Sequence, residues 1–193
     1  MAYQRNVDSA CPVADDLERD WIENFPPGRN VTAQVYYDPH FVGFNNQNFD
    51  CHPPGEAVLF KNSMLKFEID VNHKPVNQTV RPSVIDSFTF TVKSDKIQYQ
   101  VDNGQFTVNG KVPKFINNWI FLSEAQTAIV MESGNKFHIY TGIGPRLTVY
   151  NCSCYNLNAT LTLPRTHAEN AEPSLFGNLK GEHGKIVQPT GSF

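Results

Sequence analysis

The sequence predicts an all-β fold, an antiparallel β-sandwich or flattened barrel with hairpin connections. Three observations carry this. Polar and apolar residues alternate along many short runs, which is the period of a half-buried strand. Asn (19), Pro (13) and Gly (12) punctuate those runs throughout the 193 residues, at the spacing of hairpin turns. Helical and extended segments do not alternate, so a parallel sheet is not indicated.

The elements follow in chain order. Residues 1–29 read as an N-terminal extension, partly helical or irregular: 15–25 has helical character, and Pro26-Pro27-Gly28 ends it. The β domain occupies 30–193. Strands are expected at 31–37, after Phe49, at 57–61 and at 65–71, with Asp38-Pro39-His40 as an interruption. The polar, Pro-bearing stretch 72–82 reads as a loop. Strands at 85–92 and 96–101 follow, with a turn at Ser94-Asp95. Asn103-Gly104 and Asn109-Gly110 flank the strand 105–108. Asn-Gly supplies the positive φ angles of a type I′ hairpin turn. Strands at 120–122, 128–131, 136–140, 146–150 and 159–163 complete the set, with a turn at Ser133-Gly134-Asn135. The tail 164–193, rich in Gly, Pro, Asn and His, reads as a loop packed on the sheet.

Composition narrows the function. Hydrophobic residues make up 40% and charged residues 18%, with 14 Phe against 2 Trp, which supports a sizeable ordered core. A net charge of −3 argues against a nucleic-acid partner, which would want a basic face. No apolar run is long enough for a transmembrane helix, and residues 1–20 carry no apolar signal-peptide core.

Four cysteines are present: Cys11, Cys51, Cys152 and Cys154. Their spacing does not fit a zinc ribbon. Cys152-Ser153-Cys154 reads either as a redox or metal pair or as two side chains on one strand face, from which two bridges could run to Cys11 and Cys51. Three connectivities remain open. Asn30, Asn77, Asn151 and Asn158 stand in N-x-Ser/Thr patterns, the mark of glycan acceptors, with coincidence in an Asn-rich chain as the competing reading. An even cysteine count with these patterns indicates a secreted, oxidising setting.

No catalytic set is legible. The six His form no close metal-ligating pair, and no nucleophile elbow or phosphate loop occurs. His138 alternates with Phe137 and Ile139 and reads as a satisfied sheet residue. Gly142-Ile143-Gly144 precedes Pro145 and reads as a bulge or turn. Two local constellations stand out. One is Asp38-Pro39-His40-Phe41 with Phe44 and Phe49. The other is the Gly-hinged loop Phe176-Gly177-Asn178-Leu179-Lys180-Gly181-Glu182-His183-Gly184, which reads as a hard-cation loop or as a β-turn built on an Asn of positive φ.

In this order, these constellations resemble the von Willebrand factor type D family. Tyr37-Asp38-Pro39-His40-Phe41 resembles its Gly-Asp-Pro-His entry strand, Phe106-Thr107-Val108-Asn109-Gly110-Lys111 its V-x-V-N-G hairpin, and Leu175-Phe176-Gly177-Asn178-Leu179-Lys180-Gly181 its C-G-N-x-x-G signature. The resemblance spans residues 35–191. It implies calcium on the late loop, with Asn178 and Glu182 as ligands, although Lys180 stands among them and no Asp follows Gly181. It also implies self-cleavage at Asp38-Pro39, where Tyr37 replaces the family's Gly. The family's cysteines in the late motif are missing, so disulfide-linked assembly there is not expected.

The resulting expectation is a secreted, non-enzymatic structural or adhesive module of a matrix, coat or large glycoprotein. Its partners would be extracellular proteins, a second copy of the chain among them. Two alternatives stand beside it. One is a carrier of an apolar small molecule in a cavity lined by Phe88, Phe90, Phe106, Phe115, Phe121 and Phe137. The other is an enzyme of unassigned reaction.

Overall fold

A computed structural model describes residues 29–36, 39–50, 55–77, 80–122, 124–151 and 157–180. In chain order the elements are β1 (Asn30–Tyr36), β2 (His40–Val42), β3 (Asn48–Asp50), β4 (Gly55–Asn62), β5 (Phe67–Asn77), β6 (Val80–Val92), β7 (Asp95–Gln100), β8 (Phe106–Val108), β9 (Trp119–Leu122), β10 (Thr127–Ser133), β11 (Lys136–Thr141), β12 (Arg146–Asn151), β13 (Leu157–Pro164) and the short helix α1 (Arg165–Glu169). They form two antiparallel sheets, not closed into a barrel. The larger runs β3-β2-β1-β13-β12-β11-β10-β9, and the smaller runs β4-β5-β6-β7-β8. The arrangement is a β-sandwich.

The alternation read from the sequence is what fills the space between the sheets. Strand β13 alternates buried and half-buried residues from Leu157 to Pro164, so Leu157, Ala159, Leu161 and Leu163 face inward. From the opposite sheet, Leu59, Ile69, Val71, Phe90 and Ile97 close on them. Aromatic rings meet edge to face at the centre: Phe106 lies 4.5 Å from Phe137, and Phe67 lies 4.9 Å from Phe90. Such pairs contribute about 0.5–1.5 kcal/mol each beyond simple burial.

Several local expectations are corrected. Most of the stretch expected as a loop at 72–82 is strand: β5 continues to Asn77, and β6 begins at Val80. Pro75 is tolerated there because β4 stops pairing at His73 and the β5–β6 register shifts between Pro75 and Asn77. The two Asn-Gly pairs behave differently. Asn109 and Gly110 take φ of 51° and 76°, and Val108 and Lys111 exchange both backbone hydrogen bonds, as a type I′ turn requires. At Asn103-Gly104 only the Gly has positive φ, while Asn103 Oδ1 accepts the Gln105 amide. The turn there is longer: Gln100 N–H donates to Gln105 O, enclosing residues 101–104, while the Val101 N–H extends the β6–β7 ladder to Asp86 O. The turn expected at Ser94-Asp95 sits one residue earlier, on Lys93 (φ 55°) and Ser94, with Val92 paired to Asp95. Two elements were not expected: β2, where Asp38-Pro39-His40 reads as an interruption, and α1 in the tail.

Gly142-Ile143-Gly144 is a turn, as expected. Gly144 (φ 116°) cannot carry a Cβ, which would lie 2.9 Å from Pro164 Cγ and 3.0 Å from the His167 ring. The β11–β12 turn is thereby seated against the start of α1.

Candidate functional site

The two constellations singled out in the sequence come together in space. The residues after α1 run along the outermost strand of the smaller sheet. Glu172 N–H donates to Lys61 O at 2.9 Å, Leu175 N–H to Val58 O at 2.9 Å and Phe176 N–H to Leu59 O at 3.0 Å. An open row of strand carbonyls is an invitation to pair with other chains, and this segment occupies it. Phe176 is fully buried and meets Phe44 edge to face at 6.1 Å, while its carbonyl accepts the Phe44 N–H at 3.2 Å. Phe44 also meets Phe60 of β4 at 5.7 Å. The entry segment and the late loop therefore form a clasp over the β4 edge.

Around the clasp, His40 and Asp50 pair at 2.5 Å across β2 and β3, and Phe41 stacks on Phe49 at 5.2 Å. Pro39 is buried; Asp38, the other half of the proposed scission site, lies outside the described residues. Asn178 is 2% exposed, and its side chain serves the turn. Its Nδ2 donates to Ala171 O at 3.3 Å, and its Oδ1 accepts the Lys180 N–H at 3.0 Å. The positive φ expected for this Asn belongs instead to Gly177, at 67°. A calcium ion would have to share the oxygen that already holds the Lys180 amide. Glu182, its expected co-ligand, lies outside the described residues. Among the described residues, no three His, Cys, Asp or Glu side chains group as a metal site.

Cys11, Cys51, Cys152 and Cys154 also lie outside the described residues, as does the side chain of Asn77. The remaining glycan-acceptor candidates have unlike settings. Asn30 opens β1, and Asn158 pairs with Tyr150 on the outer face of the larger sheet; both are half-buried. Asn151 points between the sheets. Its Nδ2 donates to Val101 O at 2.7 Å and to Tyr99 Oη at 3.1 Å. A glycan on that nitrogen would displace both bonds.

His138 is satisfied, as the sequence suggests. It lies on the outer face of the larger sheet at 7% exposure, with Nε2 2.6 Å from Glu132 and Nδ1 3.0 Å from the Thr148 hydroxyl. Burial holds its pKa below the ordinary value despite the hydrogen bond that Nε2–H donates to Glu132. Hydrogen bonds from Lys136 and then His138 hold the Glu132 carboxyl below the usual range. The ring is thus neutral near pH 7, donating from Nε2 and accepting at Nδ1. Thr-His-Glu is a chain of residue types suited to nucleophilic catalysis. Thr148, however, sits mid-strand with β12 paired on both sides, so its neighbouring amides serve the ladders and not an oxyanion.

Among the described residues, exposed large apolar side chains fall both on strands, Val76 (52%) in β5 and Tyr150 (40%) in β12, and on connections. Met64 is 84% exposed beside an open groove of about 540 Å³, which is lined by Leu65, Lys66, Lys93, Ser94 and Ile143. Val112 (68%) and Ile116 (59%) stand with the exposed Lys111 and Lys114 on the connection between β8 and β9. Those are the outermost strands of the two sheets on that side. The sequence reading missed this corner because periodicity locates strands, and 111–118 has none. The signal was the apolar content of a segment too short and irregular to be a strand.

No protein-family model matches the chain, and no curated protein matches it. No described helix is long and apolar enough to cross a membrane.

Proposed function

We propose that this chain is a secreted structural or adhesive module, of the von Willebrand type D kind, that works through protein–protein contacts. The carrying observation is the β8–β9 corner. Val112 and Ile116 lie in water between two outermost strands, flanked by Lys111 and Lys114. Exposed apolar side chains next to strand edges suit a contact in which a partner adds a strand or buries the loop. The dense ring packing around Phe106 and Phe137 favours this reading over a carrier, because those side chains spend their faces on one another. Collinearity of the entry, hairpin and late-loop motifs supports the family reading, as does the contact of the entry segment with the late loop through Phe44 and Phe176.

Light scattering coupled to size exclusion, with pull-down from the native extracellular material, tests the proposal. The double variant Val112→Ser, Ile116→Ser should weaken self-association or partner capture at an unchanged melting temperature. A chain that stays monomeric at all concentrations and captures no extracellular protein would overturn the reading.

A further inference from the structure

The chain contains two Asn-Gly pairs, and the fold holds them differently. Asn109 lies in a tight turn closed by both main-chain bonds between Val108 and Lys111. Its side chain is engaged at both ends: Oδ1 accepts the Lys96 N–H at 2.8 Å, and Nδ2 donates to Asp95 Oδ1 at 2.9 Å. Asn103 lies in the wider loop closed by Gln100 and Gln105, and residues 102–105 are all exposed. Its Oδ1 accepts the Gln105 N–H at 2.9 Å, but its Nδ2 has no partner among the described residues. Gly104 follows at φ 66°, with Tyr99 Oη, at 3.9 Å, the nearest atom that a Cβ there would meet.

We propose that Asn103 is a self-modifying site, which converts without an enzyme to aspartate and isoaspartate while the fold protects Asn109. Solvent hydroxide takes the proton of the Gly104 amide, and that nitrogen attacks Asn103 Cγ. The Cγ–Nδ2 bond then breaks, and ammonia leaves with a proton from water, which restores the hydroxide and leaves a five-membered succinimide. Water opens the ring at one of its two carbonyls. Breaking the bond from Gly104 N to Cγ gives aspartate. Breaking its bond to the main-chain carbonyl carbon gives isoaspartate, with the chain running through Cβ. In sum, side-chain amide and water become carboxylate and ammonium. Glycine suits the attacking position because no Cβ hinders its nitrogen. Negative charge develops on Asn103 Oδ1 during the attack, and the Gln105 N–H already donates to that atom. Asn109 Oδ1 has a donor too, so the difference lies elsewhere. The leaving nitrogen of Asn109 is held by Asp95 and its turn by two main-chain bonds, so attack there needs local opening. The product places a carboxylate next to Asp102. Lys74 lies 3.3 Å from Asp102 and 2.5 Å from Asp86, so it already serves two carboxylates and does not balance a third. The loop between β7 and β8 thereby gains negative charge.

The unaltered full chain gives the test. It is kept folded at mildly alkaline pH, sampled over weeks, digested at mildly acid pH and mapped by peptide mass spectrometry. Amide-to-acid conversion should be roughly tenfold or more faster at Asn103 than at Asn109, the factor expected when held hydrogen bonds must open first. The Asn103 peptide should divide into aspartate and isoaspartate forms of equal mass that separate by chromatography. In denaturing urea the two rates should converge, because the protection of Asn109 comes from the fold. Asp95→Ala, which frees the Asn109 amide, should raise the rate at Asn109 severalfold and leave Asn103 unchanged. Should that variant fail to fold, the urea comparison on the unaltered chain decides. Equal rates in the folded chain overturn the proposal, as does faster conversion at Asn109. So does a ratio that persists in urea, or a folded Asp95→Ala chain whose Asn109 rate is unchanged.

Discussion

Truncating Phe176 to Ala should cost about 4 kcal/mol of folding free energy. The side chain is fully buried, meets Phe44 and sits in the main core cluster, and Phe→Ala at such sites costs about 3–5 kcal/mol. The backbone bonds to Leu59 and Phe44 involve only main-chain atoms, so the loss reports the ring. With a urea m-value near 2 kcal/mol/M, the midpoint should fall by about 2 M, and the melting temperature by roughly 10 °C. Met64→Ala, at 84% exposure, is the control and should move the midpoint by less than about 0.3 M. Native-state hydrogen exchange should also accelerate first at the amides of Glu172, Leu175 and Phe176, because the ring anchors the segment that makes those bonds. A midpoint shift no larger than that of Met64→Ala would refute the clasp as an energetic unit.

Asp70 is pushed up to about 6, chiefly by burial and then by repulsion from Glu68. A carboxyl whose folded pKa is raised favours folding while protonated, and its contribution is lost as pH rises through about 6. Asp70→Asn should therefore stabilise the fold at pH 8 by about 1 kcal/mol, after discounting for its partial exposure, and change little at pH 3.5; thermal melts at the two pH values check this, and equal shifts at both would contradict it. Asn151→Ala should cost about 2 kcal/mol by removing two inter-sheet hydrogen bonds, read by urea titration. After expression through a secretory route, peptide mapping should find glycan at Asn158 before Asn151; full occupancy of Asn151 in folded protein would show that its inter-sheet bonds are dispensable. Millimolar calcium should move the melting temperature by less than about 1 °C, since Asn178 Oδ1 is engaged by Lys180; a rise of several degrees would show that the loop takes the ion.

The strands were legible because burial on one face imposes a period of two, which β13 shows in full from Leu157 to Pro164. The loop expected at 72–82 went astray for a physical reason. A proline breaks a ladder only where its missing N–H is needed, and Pro75 lies past the last pair with β4. Asn103-Gly104 and Asn109-Gly110 show the same limit. Identical dipeptides gave a long and a tight turn because the strand pairing closes them differently, Gln100 with Gln105 around the first and Val108 with Lys111 around the second. Of the candidate site, the sequence pointed to Phe44, Phe176 and Asn178 but not to their meeting, which depends on the C-terminal segment running along β4. His138 could be placed in a strand, whereas Thr148 and Glu132 become its partners only through the β11–β12 register and the β10–β11 turn.

The pairing of β1 with β13 gives the fold a mechanical grain. Asn30 and Pro164 are register partners at the same end of the larger sheet, so tension applied at those two points would unzip the β1–β13 ladder one rung at a time. Force applied beyond Asn178 meets the clasp on β4 before it reaches that ladder. The segment from Glu172 to Phe176 then works as a strain relief: it takes up the pull first, and exposes the β4 edge before the sandwich yields.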